Sequence, residues 1–224
     1  METAIVLLSG GMDSLVCVGE AVKNHQEIYF LHLNYGQKTS ERERQAFEEI
    51  ARFYKIDASH CKIIDMTFLR QIGGSSLTDD RIEVKTFQGE SKGIPDSYVP
   101  FRNSIILSLA VSWAEVVGAT KLYIGANDED SPGYPDCRPN YYKAFNQLIK
   151  EGTKALNIEI LTPVISLKKK EIVKKGIDLK VPFHLSWSCY KNSKTACGVC
   201  DSCSLRLRGF REAGIPDPID YHSV

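Results

Sequence analysis

Two stretches of the chain carry residue types whose spacing implies chemistry. The first is Ser9-Gly10-Gly11-Met12-Asp13-Ser14. Two adjacent glycines let the backbone turn sharply and approach a ligand without Cβ obstruction. A helix that begins there aims its first N–H groups and the positive end of its dipole at the turn. With the Ser9 and Ser14 hydroxyls this makes an anion cradle, most naturally for phosphate. The loop lacks the Gly-Lys-Ser/Thr ending of a Walker A motif, and it is not GxGxxG. Asp13 would repel a bare phosphate, whereas a bound Mg²⁺ would reverse the sign and make the carboxylate useful. Read without a ligand, the string is a strand-to-helix turn with Asp and Ser as caps. The second stretch holds Cys189, Cys197, Cys200 and Cys203 in a C-x7-C-x2-C-x2-C pattern. Four soft ligands favour tetrahedral Zn²⁺ with Zn–S distances of ~2.3 Å and no open position, a structural site. Arg206, Arg208 and Arg211 follow closely enough to offset its negative charge. An iron–sulfur cluster and unliganded thiols are the alternatives.

Three further segments are candidates. Arg102 and Asn103 stand at the start of a strongly apolar helix, where they either face the nucleotide end of a sheet or serve as cap and surface charge. Residues 125–138 place Asp128, Asp130, Tyr134, Asp136 and Arg138 on a loop after a strand. That loop suits a flat heterocycle carrying amide donors, or is a solvated acidic loop. Lys168, Lys169 and Lys170 open a helix after Thr162-Pro163, and one of them could reach the phosphates. Cys17 and Cys61 are expected to be buried small apolar residues.

Elements must exist to position these groups. Residues 3–8 (TAIVLL) form a continuous apolar run, as in a strand buried on both faces of a parallel sheet. Leu15, Val18 and Val22 then recur at helical spacing. Residues 28–33 and 61–64 read as strands, and Ser40 with Glu43 as a capping box for the helix between them. Residues 66–100 break the alternation and are expected to hold a short hairpin or to work as a lid. A helix over 104–117, a strand over 121–125, a helix over 140–150, a strand over 158–161 and a helix over 168–180 complete the pattern. Strands alternating with helices imply an α/β, doubly wound, mostly parallel sheet, with ligands at the carboxyl ends of the strands. The expected division is 1–183 for nucleotide binding and catalysis and 184–224 for a small zinc-binding region.

The chain has 224 residues, 43% hydrophobic and 25% charged, which excludes wholesale disorder. Lys plus Arg (28) balances Asp plus Glu (28), so no global field draws it to nucleic acid or membrane. No apolar run approaches the ~18 residues of a membrane span. The short apolar start lacks a basic leader, so the expected location is cytoplasmic. There the odd total of seven cysteines argues for metal binding over a disulfide framework.

SGGMDS resembles the signature of the PP-loop ATP pyrophosphatases, whose members cleave ATP between the α- and β-phosphates. With LHLNYGQ, VPFRN, GYPDCR, the 163–171 stretch and SWSCY through the final cysteine, the chain is similar to the 7-cyano-7-deazaguanine synthase family over nearly its whole length. Phe101 departs from that pattern, standing where a small residue is expected, and could narrow the nucleotide pocket. The resemblance implies ATP-dependent conversion of 7-carboxy-7-deazaguanine and ammonia to the nitrile, through an amide, in a homodimer holding one structural Zn²⁺ per chain. It implies that Leu8, Ser9, Gly10, Gly11, Met12, Asp13, Ser14, Leu15, Val16, Cys17 and Val18 bind ATP with Mg²⁺. Asp13, Ser14, Arg102 and Lys169 would be catalytic, and Asn34, Tyr35, Gln37, Tyr134, Asp136 and Arg138 would hold substrate. Two alternatives use the same motifs: a PP-loop ligase that joins the carboxylate to another amine, and a tRNA-modifying or tRNA-binding protein.

Overall fold

The computed structural model describes residues 2–87, 89, 93–128, 134–155 and 157–222. Five strands form one parallel sheet: β1 (Thr3–Leu7), β2 (Glu27–Asn34), β3 (Cys61–Asp65), β4 (Lys121–Ile124) and β5 (Glu159–Leu161). Their spatial order is β3-β2-β1-β4-β5. The apolar N-terminal run is therefore the central strand, paired with β2 on one side and β4 on the other. Its side chains alternate between two cores. Ala4, Val6 and Leu8 join the layer of α1 (Met12–Asn24), α2 (Ser40–Phe53) and α5 (Lys169–Asp178), with Phe210 of α6 (Asp201–Ala213). Ile5 and Leu7 join the opposite layer with α3 (Arg102–Val117) and α4 (Pro139–Gly152). A strand buried on both faces has no polar side to show, hence its unbroken apolar sequence.

The switch in strand order falls between β1 and β4, so the segments leaving those strands open a crevice at the carboxyl edge. Gly125, just past β4, lets the two segments touch: a Cβ there would lie 2.6 Å from the Ser14 amide nitrogen. Gly10 turns the chain out of β1 with φ +92°.

Several local expectations need correction. The cap of α2 is Thr39, one residue before Ser40, and its hydroxyl donates to Glu43 at 2.8 Å. The α3 helix starts at Arg102, earlier than its apolar periodicity begins, because Asn103 N–H is met by the Asp136 carboxylate at 3.2 Å. The 66–100 segment contains no hairpin among its described residues; it has a single 3₁₀ turn, Thr67–Gln71, followed by turns. Cys17 is fully buried as expected, but Cys61 is only half-buried, on the edge strand β3. Phe101 adopts φ +56°, a left-handed region that glycine occupies at least cost. Its ring is 64% exposed and does not line the crevice, so it does not narrow it.

The expected boundary between residues 183 and 184 falls inside one 3₁₀ turn, Phe183–Leu185. Beyond it, Trp187 N–H donates to Gly10 O at 2.8 Å, and α6 packs along α5. A third apolar cluster mixes Ala46, Leu77, Val84 and Val99 with Trp187, Cys189, Cys200 and Cys203.

Candidate active site

The crevice is a cavity of about 650 Å³. Its floor is the loop after β1. Gly11 caps α1 without a side-chain bond, so the first N–H groups of the helix have no intrahelical partner. The Ser14 hydroxyl donates to Gly11 O at 2.9 Å and lies 3.1 Å from the Ser9 hydroxyl, while Gly11 N–H donates to Ser9 Oγ at 3.3 Å. These bonds hold the loop open around its backbone donors. Behind it, His32 on β2 bonds Leu8 O through Nδ1 at 2.9 Å. Burial holds this imidazole below its ordinary pKa, so it is neutral and Nδ1 carries the proton.

Lys169, at the first position of α5, reaches the same floor. Its Nζ donates to Asp13 Oδ2 at 2.6 Å, the lysine buried and the aspartate half-buried. The α5 start is fixed by Lys168 N–H donating to Glu171 at 2.7 Å. Asn127, after β4, ties that region down by donating to Val164 O and Leu167 O at 2.7 and 2.8 Å. Asp13 Oδ1 is buried with no hydrogen-bond partner among the described residues. A free carboxylate oxygen beside an anion cradle fits a Mg²⁺ ion, which typically takes one or two carboxylates and completes its shell with phosphate and water.

Arg102 forms another wall. Its guanidinium lies 5.1 Å from the centre of the Tyr35 ring and donates to the Tyr35 hydroxyl at 3.1 Å. Burial pushes that phenol up to about 12, so it stays protonated. Tyr134 completes this side, its hydroxyl 2.5 Å from Ser97 Oγ.

Of the residues expected at the nucleotide, Leu8, Ser9, Gly11, Met12, Asp13 and Ser14 line the cavity. Gly10 turns behind it. Leu15, Val16, Cys17 and Val18 are buried in α1 and pack in the core. Arg102 and Lys169 line it with Tyr35 and Tyr134. The other substrate candidates do not. Asn34 Oδ1 accepts from Gly36 N–H, and Gln37 is buried between the Tyr35 amide and Glu43. Asp136 is buried under α3, and Arg138 is exposed. Asp128 is exposed, and Asp130 lies outside the described residues. Sequence reasoning missed the C-terminal wall: Trp187, Ser188, Tyr190, Asp201 and Arg206 all line the cavity. Burial, and then nearby Asp96, hold the Asp201 carboxyl above the usual carboxylate range.

The four expected metal ligands converge. Their sulfurs all lie within 4.8 Å of one another, and those of Cys197 and Cys203 are 3.9 Å apart. Tetrahedral zinc with Zn–S near 2.3 Å requires S···S separations of about 3.8 Å. Backbone N–H groups of Lys191, Asn192 and Cys197 point at Cys189 Sγ, and those of Val199 and Cys200 at Cys197 Sγ, at 3.3–3.5 Å. Such donors stabilise thiolate charge. Arg206 is committed elsewhere: it is 1% exposed and forks onto Asp217 at 2.8 and 2.9 Å.

A parallel sheet with this loop at its switch point defines an α/β protein of the PP-loop type. The chain aligns over 98% of its length with a 4-thiouridine synthetase solved with RNA and bound ATP (TM-score 0.50, 19% identity, 47% of that protein covered). It also aligns over its whole length with a predicted tRNA methyltransferase subunit of Methanocaldococcus jannaschii (TM-score 0.50, 15% identity, 93% covered). At such identities the likeness is one of fold. Within that class, residues 3–214 match the family described as Queuosine biosynthesis protein QueC, and the chain belongs to it. It is 60% identical over 219 residues to the 7-cyano-7-deazaguanine synthase of Chloroherpeton thalassium, covering 97% of this chain and 96% of that one. With that of Koribacter versatilis it shares 53% over 222 residues, covering 97% and 92%. The family makes this chain an enzyme of queuosine-precursor synthesis. Among the described residues, no helix is long and apolar enough to cross a membrane.

Proposed function

We propose that the protein is an ATP-dependent carbon–nitrogen ligase that converts 7-carboxy-7-deazaguanine and ammonia to 7-cyano-7-deazaguanine. The observation that carries this reading is the convergence of the open α1 amides, Lys169 and Arg102 on one cavity in a QueC-family chain. The substrate carboxylate attacks the α-phosphorus of ATP, and pyrophosphate leaves. Ammonia then attacks the acyl carbon, AMP leaves, and a proton is lost to give the amide. The amide oxygen attacks the α-phosphorus of a second ATP, and pyrophosphate leaves. Loss of AMP and of the nitrogen-bound protons leaves the nitrile.

The α1 N–H groups and the Ser9 and Ser14 hydroxyls hold the departing pyrophosphate. Lys169 and Arg102 meet the charge that grows on the phosphoryl oxygens. Asp13 would hold Mg²⁺, which neutralises phosphate charge when bound. Both activations start from an oxygen on the same carbon, so one cradle serves both. Cys137 lines the cavity, but the reaction requires no protein nucleophile. The four cysteines would hold a structural Zn²⁺, which a full set of thiolates leaves no open position for substrate.

The test is incubation with 7-carboxy-7-deazaguanine, ammonium and MgATP, with products identified by mass. Two AMP per nitrile are expected, and the amide supplied alone should react with one ATP and no ammonia. ADP as product would overturn the α–β cleavage. A reaction that stops at the amide would mark an amide-forming ligase instead.

A further inference from the structure

We propose that Asp201 is the carboxylate that reads the amine edge of the deazaguanine, a role that rests on the substrate assigned above. That edge presents the ring N1–H and the exocyclic amine side by side, and one carboxylate can accept from both. Asp136, the reader expected from the sequence, is buried 4% exposed against the start of α3 and does not line the cavity. Among the described residues, the carboxylates that do line it are Asp13, Glu43, Asp96 and Asp201. Asp13 is paired with Lys169, Glu43 accepts from Gln37 and Thr39, and Asp96 is paired with Lys85 at 2.5 Å. Asp201 has no hydrogen bond or ion pair to any described residue.

Its placement along α6 fits the substrate. Asp201, Leu205 and Arg208 follow at helical spacing and all line the cavity, so one face of α6 is a wall. Further along, α6 abuts the catalytic floor at Gly209, where a Cβ would fall 2.8 Å from Lys169 Cβ. From 209 back to 201 the helix rises about 12 Å. A fused two-ring base with an adenylated carboxyl at one end spans roughly 9 Å from the α-phosphorus to its exocyclic amine, from bond lengths near 1.4 Å. With the carboxyl beside Lys169, the amine edge comes within about 3 Å of the level of Asp201, a hydrogen-bond length. Trp187 lines the same cavity, and its indole N–H is buried without a partner among the described residues. It is a donor for which the carbonyl of the same base edge supplies an acceptor.

The test compares wild type, Asp201→Asn and Asp136→Asn as full-length, metal-loaded protein. Binding of 7-cyano-7-deazaguanine is measured by calorimetry, with ATP affinity and metal content alongside. Asp201→Asn should weaken base binding at least about tenfold, the loss expected for hydrogen bonds to a charged acceptor. It should raise KM for the acid more than it lowers kcat, and leave ATP affinity and metal content unchanged. Asp136→Asn should leave base binding unchanged wherever the protein is folded. An analogue lacking the exocyclic amine should bind wild type weakly and lose little more in the variant. If Asn at 201 lowers metal content, Asp201→Ser repeats the comparison, with the same loss expected. Base binding unchanged in a wild-type-like Asp201 variant overturns this inference alone. Wild-type protein that makes no nitrile overturns the substrate assignment and this inference with it.

Discussion

At Asp13 two demands meet, because the same carboxylate neutralises a buried lysine and faces the anion cradle. Changing it to Asn takes from Lys169, 5% exposed, the charged partner it holds at 2.6 Å. Asp13→Asn should therefore cost about 1.5–3 kcal/mol of stability by denaturant titration, the range for a hydrogen bond to a charged group, as well as ~10²-fold or more in kcat. Near-normal turnover in Asp13→Asn would remove the metal-holding role. His32 gives a pH dependence. Its folded pKa is lowered, so below the unfolded value near 6.5 only the unfolded chain takes the proton. Its contribution is complete above that value and is lost as pH falls toward the folded pKa, by up to about 1.4 kcal/mol per unit. His32→Gln should flatten the stability slope between pH 7 and 5. At this scale the loop and the four cysteines were legible because local spacing alone brings their groups together. Lys169 could be narrowed only to three adjacent lysines, since its meeting with Asp13 depends on how α5 packs on α1. Asp136 misled for a related reason: its exposure was decided by α3, far away in sequence.

At the element scale, α3 begins under strain. Phe101 precedes it at φ +56°, where an L-residue pays roughly 1–2 kcal/mol, and its exposed ring recovers little through burial. Phe101→Gly should accordingly raise stability by roughly 0.5–1 kcal/mol, after allowing for glycine's greater freedom when unfolded. A lower unfolding midpoint would mean the ring packs in a way its 64% exposure does not indicate. Strand and helix order could be read from apolar runs and periodicity, because a buried parallel strand and an amphipathic helix differ in period. Two elements could not. The 66–100 segment takes its shape from the cavity it borders, through Ser76, Val84 and Ser97. The α6 helix was hidden because two of the four cysteines fall at its start, where they read as a metal motif rather than as part of an apolar stripe.

For the molecule as a whole, the C-terminal region shares an apolar cluster with the sheet domain and supplies one wall of the cavity. Removing the metal should therefore unfold the chain in a single transition at lower temperature, rather than melt a separate module, and should weaken substrate binding in parallel. Calorimetry with and without chelator checks this, with metal analysis of the purified protein alongside. One zinc per chain is expected, and iron with sulfide would replace zinc by a cluster. Two transitions would make residues 184–224 an independent unit. The sheet order has a consequence for biosynthesis. β1 lies at the centre of the sheet, yet its partner β4 is made on the order of a hundred residues later. At 5–20 residues per second that is roughly 5–20 s with one apolar edge of β1 unpaired. The wall that closes the crevice, bearing Trp187 and Asp201, emerges later still. A nascent chain of this protein is thus expected to need chaperone protection until that wall is translated, and a stalled or truncated product ending before it should accumulate in aggregates rather than as a smaller folded enzyme.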